Sequence, residues 1–183
     1  MAIDRVSRAV DKGPANRSDG FEEEKTMNLK MTALVTGLLL WGLDAHAANE
    51  EKIAEEVMKM AKAQWQAEME SKPLEEIMTD VADEYTEFNP DVPVLMEGKT
   101  VSGRMYEAYV KDGSKLLAAE MLNPNVQVYG DVAVLTYNFA GIVQDKEGKT
   151  STTLAKSTRI YAKKDKAWKL VHANFAPVNS NTN

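Results

Sequence analysis

Apolar positions recur every four residues from Asn49 to Glu70, at Ile53, Val57, Ala61, Trp65 and Met69, with Glu and Lys filling the intervals. One apolar stripe on an otherwise wet cylinder predicts an amphipathic helix. Ser71-Lys72-Pro73 interrupts it, and Leu74, Ile77, Met78 and Val81 then resume at i, i+3, i+4 and i+7. This predicts a second, shorter helix with Pro73 in its first turn, where the missing N–H is not needed. Tyr85 to Phe88 and Val92 to Met96 read as short strands across the turn signal Asn89-Pro90-Asp91. After Glu97-Gly98-Lys99, Ser102 is placed as the cap of a third helix. That helix carries Met105, Tyr106, Tyr109 and Val110 on one side and stops at Asp112-Gly113.

Beyond that point the period falls from four to two. Four strands are expected, Leu116 to Tyr129, Val132 to Gln144, Thr150 to Lys163 and Trp168 to Phe175. They are joined at Gly130-Asp131, Asp145-Lys146-Glu147-Gly148 and Lys164-Asp165-Lys166. Asn123-Pro124 lies inside the first of them and predicts a bulge or bend, because proline cannot donate to a ladder. Helices followed by an antiparallel meander make an α+β domain.

The N-terminal segments stand apart from this pattern. Residues 1–26 are polar, mixed in charge and aperiodic, as in a disordered leader or a mis-assigned start. Residues 27–47 read as a signal peptide: Met27-Asn28-Leu29-Lys30 is a short basic start, Thr32 to Leu43 is apolar, and Ala45-His46-Ala47 is a small-x-small cleavage site. The apolar run is shorter than the roughly 20 residues of a bilayer span, so no stable membrane insertion is expected after cleavage. A periplasmic or secreted domain over residues 48–178 follows, with residues 179–183 as a frayed tail.

Charge and composition narrow the chemistry. The chain has 22 Lys and Arg against 28 Asp and Glu, a net charge of −6, which argues against nucleic acid as a partner. It has no cysteine and only two histidines, His46 and His172. Structural disulfides and thiolate metal sites are thereby excluded, and no metal site or other cofactor is expected. No Gly-rich phosphate loop, nucleophile elbow or EF-hand loop is present.

Three stretches carry a resemblance. They are Leu122-Asn123-Pro124-Asn125-Val126-Gln127-Val128-Tyr129-Gly130, Thr158-Arg159-Ile160-Tyr161 and Trp168-Lys169-Leu170-Val171-His172. With the opening helix, Trp65 and the Met96-Glu97-Gly98 turn, the chain resembles the nuclear transport factor 2-like superfamily over about residues 49–178. The likeness is to its SnoaL-like members and to the association domain of calcium/calmodulin-dependent kinase II. The resemblance implies a cone: N-terminal helices packed on a strongly curved, mainly antiparallel sheet, with a pocket on the concave face. It also implies a pocket arginine, here Arg159, and self-association as a homodimer or higher oligomer. Where that family commonly has His-x-His on its last strand, this chain has His172-Ala173-Asn174.

Arg159 alternates in phase with Ser157 and Tyr161, and its planar fork suits a carboxylate or phosphate. The competing readings are an ion pair with a helix carboxylate such as Glu55, Glu56 or Glu68, and a plain surface arginine. His172 alternates in phase with Trp168, Leu170 and Asn174, and its reference pKa of about 6.5 suits acid or base work. Trp65, Phe88, Met96, Tyr137 and Trp168 are candidates for an apolar lining. Isomerases of the resembled fold pair a carboxylate base with tyrosine or acid donors. Here that implies Tyr85, Tyr106, Tyr109 or Tyr137 as donor and Asp83, Glu87 or Asp91 as base. The site expected is therefore Arg159, Asn174, Tyr137, Trp65, Tyr85, Phe88 and Met96 around a small ligand, with His172 as the catalytic candidate. Three functions are compatible: a binding domain for a small polar or anionic molecule, an isomerase, cyclase or dehydratase, and a non-catalytic oligomerisation module. An outer-face dimer is expected to use Val126, Val128, Ala133 and Leu135.

Overall fold

The computed structural model describes residues 46–178. The leader 1–26, nearly all of the signal segment 27–47 and the tail 179–183 lie outside the described residues. The fold described below is carried by the unit that begins at Ala47.

The described part of the first helix, α1, covers 46–69. Ile53, Val57, Ala61 and Trp65 are buried, as the four-residue period requires. Then follow α2 (Leu74–Ile77), β1 (Val81–Phe88), β2 (Met96–Glu97), α3 (Lys99–Lys111), β3 (Lys115–Tyr129), β4 (Val132–Gln144), β5 (Thr150–Lys164) and β6 (Ala167–Pro177). The six strands form one sheet in the order β2-β1-β6-β5-β4-β3. Only β1 and β6 pair in parallel; the other neighbours are antiparallel. This is an α+β cone, with the helices packed on one face of an open sheet.

Three local expectations are corrected. The second helix is a single turn, and Val81 opens β1 instead of closing the helix. The strand expected over Val92 to Met96 shrinks to Met96–Glu97, since Pro93 supplies no N–H to a ladder. Ser102 does not cap α3, which starts three residues earlier behind Gly98. Gly98 has φ +94°, a region that favours glycine, and it donates its N–H to the Tyr85 carbonyl at 2.7 Å. The turn it makes swings α3 back over the sheet.

The meander follows its two-residue period. Ala133, Leu135 and Tyr137 of β4 and Ser157, Arg159 and Tyr161 of β5 are all buried on the inner face. Val126 and Val128 pack against the same core, so all four residues expected on an outer-face dimer point inward. The outer face instead carries Leu122, Ile142 and Leu154, exposed by 38%, 44% and 41%, staggered along β3, β4 and β5. The ladder slips between Leu122 and Asn125, at the expected Asn123-Pro124 bulge.

A second bulge decides where the last strand's side chains go. Tyr161 pairs with Leu170 but Ile160 pairs with His172, so Val171 is an extra residue. Trp168 and Leu170 are inward before it, and Ala173 is inward after it. His172 and Asn174 therefore lie on the outer face, opposite to the phase that unbroken alternation assigns them.

Leu135 is fully buried at the centre of this core. Leu135→Ala is expected to lower the unfolding free energy by about 2–5 kcal/mol, measured by urea denaturation.

Candidate functional site: a buried arginine in an aromatic cavity

A cavity of about 380 Å³ opens between α1, α3, β1 and the inner face of the sheet. Trp65 of α1 meets Tyr137 and Phe139 of β4 edge-on, with ring centroids 5.6 and 5.3 Å apart, and these rings form much of the apolar wall. Ile77, Met78, Met96 and Met105 extend it.

Arg159 reaches this wall from β5 and is only 5% exposed. Its Nε donates to the Tyr137 hydroxyl at 2.9 Å and its Nη1 to Gln64 Oε1 at 2.6 Å. The guanidinium lies between the rings of Trp65 and Phe175, 5.7 and 5.6 Å from their centroids. Burial works against its charge, but the tyrosine oxygens of Tyr137, Tyr161 and Tyr85 outweigh burial and hold its pKa above the ordinary value. The expected alternatives of an ion pair with Glu55, Glu56 or Glu68 are not realised. Among the described residues, none of the ion pairs includes Arg159.

Three carboxyl groups line the cavity with it: Glu68, Glu87 and, at the rim, Asp91. Glu68 stands one helical turn after Gln64, so both side chains lie on the same side of α1. Burial pushes its pKa from 4.5 up to about 7, Arg159 pulls it down, and Glu87 pushes it up. Glu87 of β1 is buried and accepts hydrogen bonds from the Tyr85 hydroxyl at 2.9 Å and from Asn89 Nδ2 at 2.8 Å. Burial and then the Glu87 charge hold the Tyr85 phenol above its usual range. Tyr106 and Tyr109 of α3 also line the space, and burial followed by Glu68 raises both. Ser157 and Ser102 line it as well, and the hydroxyls of both are buried without a hydrogen-bond partner. Exposed Pro90 and Asp91 stand at the rim.

Of the residues singled out from sequence, Arg159, Tyr137, Trp65, Tyr85 and Met96 come together here. His172, Asn174 and Phe88 do not. The Val171 bulge turns His172 outward, where its Nδ1 lies 2.8 Å from Thr86 Oγ1 and its ring meets Phe88 edge-on at 5.8 Å. Asn174 is exposed, and Phe88 is 49% exposed. Trp168 is buried in the core and does not line the cavity. Asp83 is exposed and also does not line it. Gln64, Glu68, Ser157 and Phe175 are site residues not assigned to the pocket from sequence. The i, i+4 pair Gln64 and Glu68 beside buried Trp65 is the signal that marks the first two.

A sequence profile of the calcium/calmodulin dependent protein kinase II association domain matches residues 53–178. The chain belongs to that family. No curated protein matches it by sequence. Among solved structures, it is similar to the association domain of Caenorhabditis elegans CaMKII, with a TM-score of 0.56 at 22% identity over 70% of this chain and 98% of that one. A putative association domain from Xanthomonas campestris gives a TM-score of 0.59 at 17% identity, covering 68% and 87%. A putative ketosteroid isomerase from Parabacteroides distasonis gives 0.57 at 19% identity, covering 70% and 89%. These likenesses show the association-domain fold.

In this association domain Glu68 gives stability a defined pH slope. The folded chain holds the Glu68 proton from pH 4.5 up to about 7, where the unfolded chain has released it. Its contribution therefore favours the native state at low pH and is lost as the pH rises through that window. Glu68→Gln is expected to raise the unfolding free energy by about 1–3 kcal/mol at pH 8 and to change it little at pH 4, read from urea titrations. Tyr137→Phe strips an acceptor from the buried guanidinium and is expected to cost about 1–3 kcal/mol at either pH.

Proposed function

We propose that this domain binds a small organic anion in its cone, with the anionic group on Arg159. The observation that carries this is a buried guanidinium, free of carboxylate partners among the described residues, on the wall of a cavity large enough for a small molecule. A buried charge without a counter-ion is costly, and an incoming anion supplies one. The aromatic and methionine wall suits an apolar body behind the charged head. Unpartnered Ser157, two residues from Arg159 on the same strand face, offers the ligand a further hydrogen bond.

The domain acts outside the cytoplasm, exported through the 27–47 segment, and it self-associates. Support for self-association comes from the family and from solved neighbours that are themselves association domains or hubs. The outer-face apolar residues Leu122, Ile142 and Leu154 are the surface that suits it. A cavity furnished with two cations, three carboxyls and several phenols argues against a purely structural module.

A second reading is an isomerase-type enzyme. One observation favours it: Glu68, with a pKa of about 7, and the hydrogen-bonded pair Tyr85 and Glu87 face one apolar space. Such a carboxyl is matched to moving a proton near neutrality. His172 has no part in that reaction, because it lies on the other face of the sheet.

Small monocarboxylates at about 100 times their dissociation constant are expected to add about 2.7 kcal/mol to the stability of the wild-type protein, seen as a rise in melting temperature. Arg159→Lys keeps the charge but loses the fork, and is expected to weaken binding at least tenfold. His172→Ala is expected to leave affinity unchanged. Absence of any stabilisation by monocarboxylates, or equal loss from both variants, would overturn the anchor.

A further inference from the structure

Resting on the anion reading above, we infer that the cavity takes up a monocarboxylate together with one proton, and that Glu68 is the residue that receives it. The geometry places the two groups for this. Gln64 and Glu68 lie one turn apart on the same side of α1, and Gln64 is already bonded to Arg159 at 2.6 Å. Glu68 borders the same cavity and feels the Arg159 charge, yet forms no ion pair with it. The Arg159 charge acts on the Glu68 carboxylate across the cavity without pairing with it. An anion seated on the guanidinium screens that charge and sets a second negative charge beside Glu68.

The surroundings add to that repulsion. From β1, Glu87 faces the same space, with its carboxylate oxygens turned to Tyr85 and Asn89. From the following turn Asp91 stands at the rim, and from α3 the phenols of Tyr106 and Tyr109 approach. Lys115 of β3 is the one other cationic side chain on the lining. With Glu68 ionised, the lining holds three carboxylates against two cations, and a further anion is disfavoured. Protonation of Glu68 from solvent offsets the incoming charge, so the count stays at three against two, and turns its carboxyl into an O–H donor that the ligand can accept from. The bound unit is then a weak acid with its proton held by the protein.

Linkage fixes the sign. If binding and proton uptake occur together, affinity must rise as the pH falls through the free-state titration of Glu68, near pH 7. It must level off once Glu68 is already protonated. The only histidine in residues 47–178 is on the opposite face of the sheet, so it does not supply this dependence.

Titration calorimetry of the full chain with benzoate, which stays ionised from pH 5.5 to 8.5, tests this. Expected are constant affinity below about pH 6 and a loss of about tenfold per unit above pH 7. At pH 8, phosphate and Tris buffers should give different heats, corresponding to uptake of close to one proton per benzoate. Glu68→Gln should bind without uptake and with no pH slope, at least tenfold tighter than wild type at pH 8.5. Carbon-detected NMR of the wild-type Glu68 carboxyl provides a readout that needs no variant: its titration should move to higher pH when benzoate is added. Binding with equal heats in both buffers, or a Glu68→Gln slope like that of wild type, overturns the proton coupling and leaves the Arg159 anchor standing. No benzoate binding at any pH overturns both.

Discussion

A full positive charge held inside a small domain, with only neutral groups bonded to it, is the constraint from which the rest of this structure follows. Arg159 cannot relax into water, because β5 is a central strand with β4 and β6 on either side. Its charge must be met by dipoles and rings that the fold brings from elsewhere: Gln64 and Trp65 from α1, Tyr137 from β4 and Phe175 from β6. Each of those residues is committed to its place by that duty. The helix cannot rotate without withdrawing the Gln64 amide oxygen, and β4 cannot slip by one residue without turning Tyr137 outward. A polar cluster of this kind fixes register more tightly than apolar packing alone.

Where periodicity is strong, the fold was legible from the sequence. Ile53, Val57, Ala61 and Trp65 repeat every four residues and all are buried, and the bounds of β4 came out unchanged because both of its ends are marked by turn residues. Legibility failed where a single residue or a single dihedral decides. Val81 continues a helical pattern by spacing, but the turn at Met78 to Asp80 ends it. Ser102 has the chemistry of a cap, but Gly98 takes that position through its positive φ. The Val171 bulge leaves no mark in composition, since valine is an ordinary strand residue.

The candidate site was legible on the same terms. Arg159, Tyr137 and Trp65 were found because they sit on elements whose phase holds. His172 and Asn174 were lost to the bulge, and Phe88 lies beyond the inward Tyr85 and Glu87 on the opposite face of β1. Glu68 was visible only as a possible ion-pair partner, because sequence spacing reports which face a side chain occupies and not how far its carboxyl stops from a cation. Association-domain membership fixes the cone but leaves its contents to be read from these residues.

The inserted peptide unit at Val171 makes the interior chemistry of the cone a matter of parity. Paired without interruption, β6 would set the imidazole of His172 directly opposite Arg159, inside the hollow, and would carry Ala173 to the outside. What holds the present arrangement is the other neighbour of β6, since Thr86 of β1 pairs with His172 both along the backbone and through its hydroxyl. An edge contact outside the hollow therefore determines whether the hollow contains an acid–base group. Shifting one half-strand would thus exchange the Phe175 ring in the cavity wall for an imidazole and an amide, with no substitution anywhere in the chain.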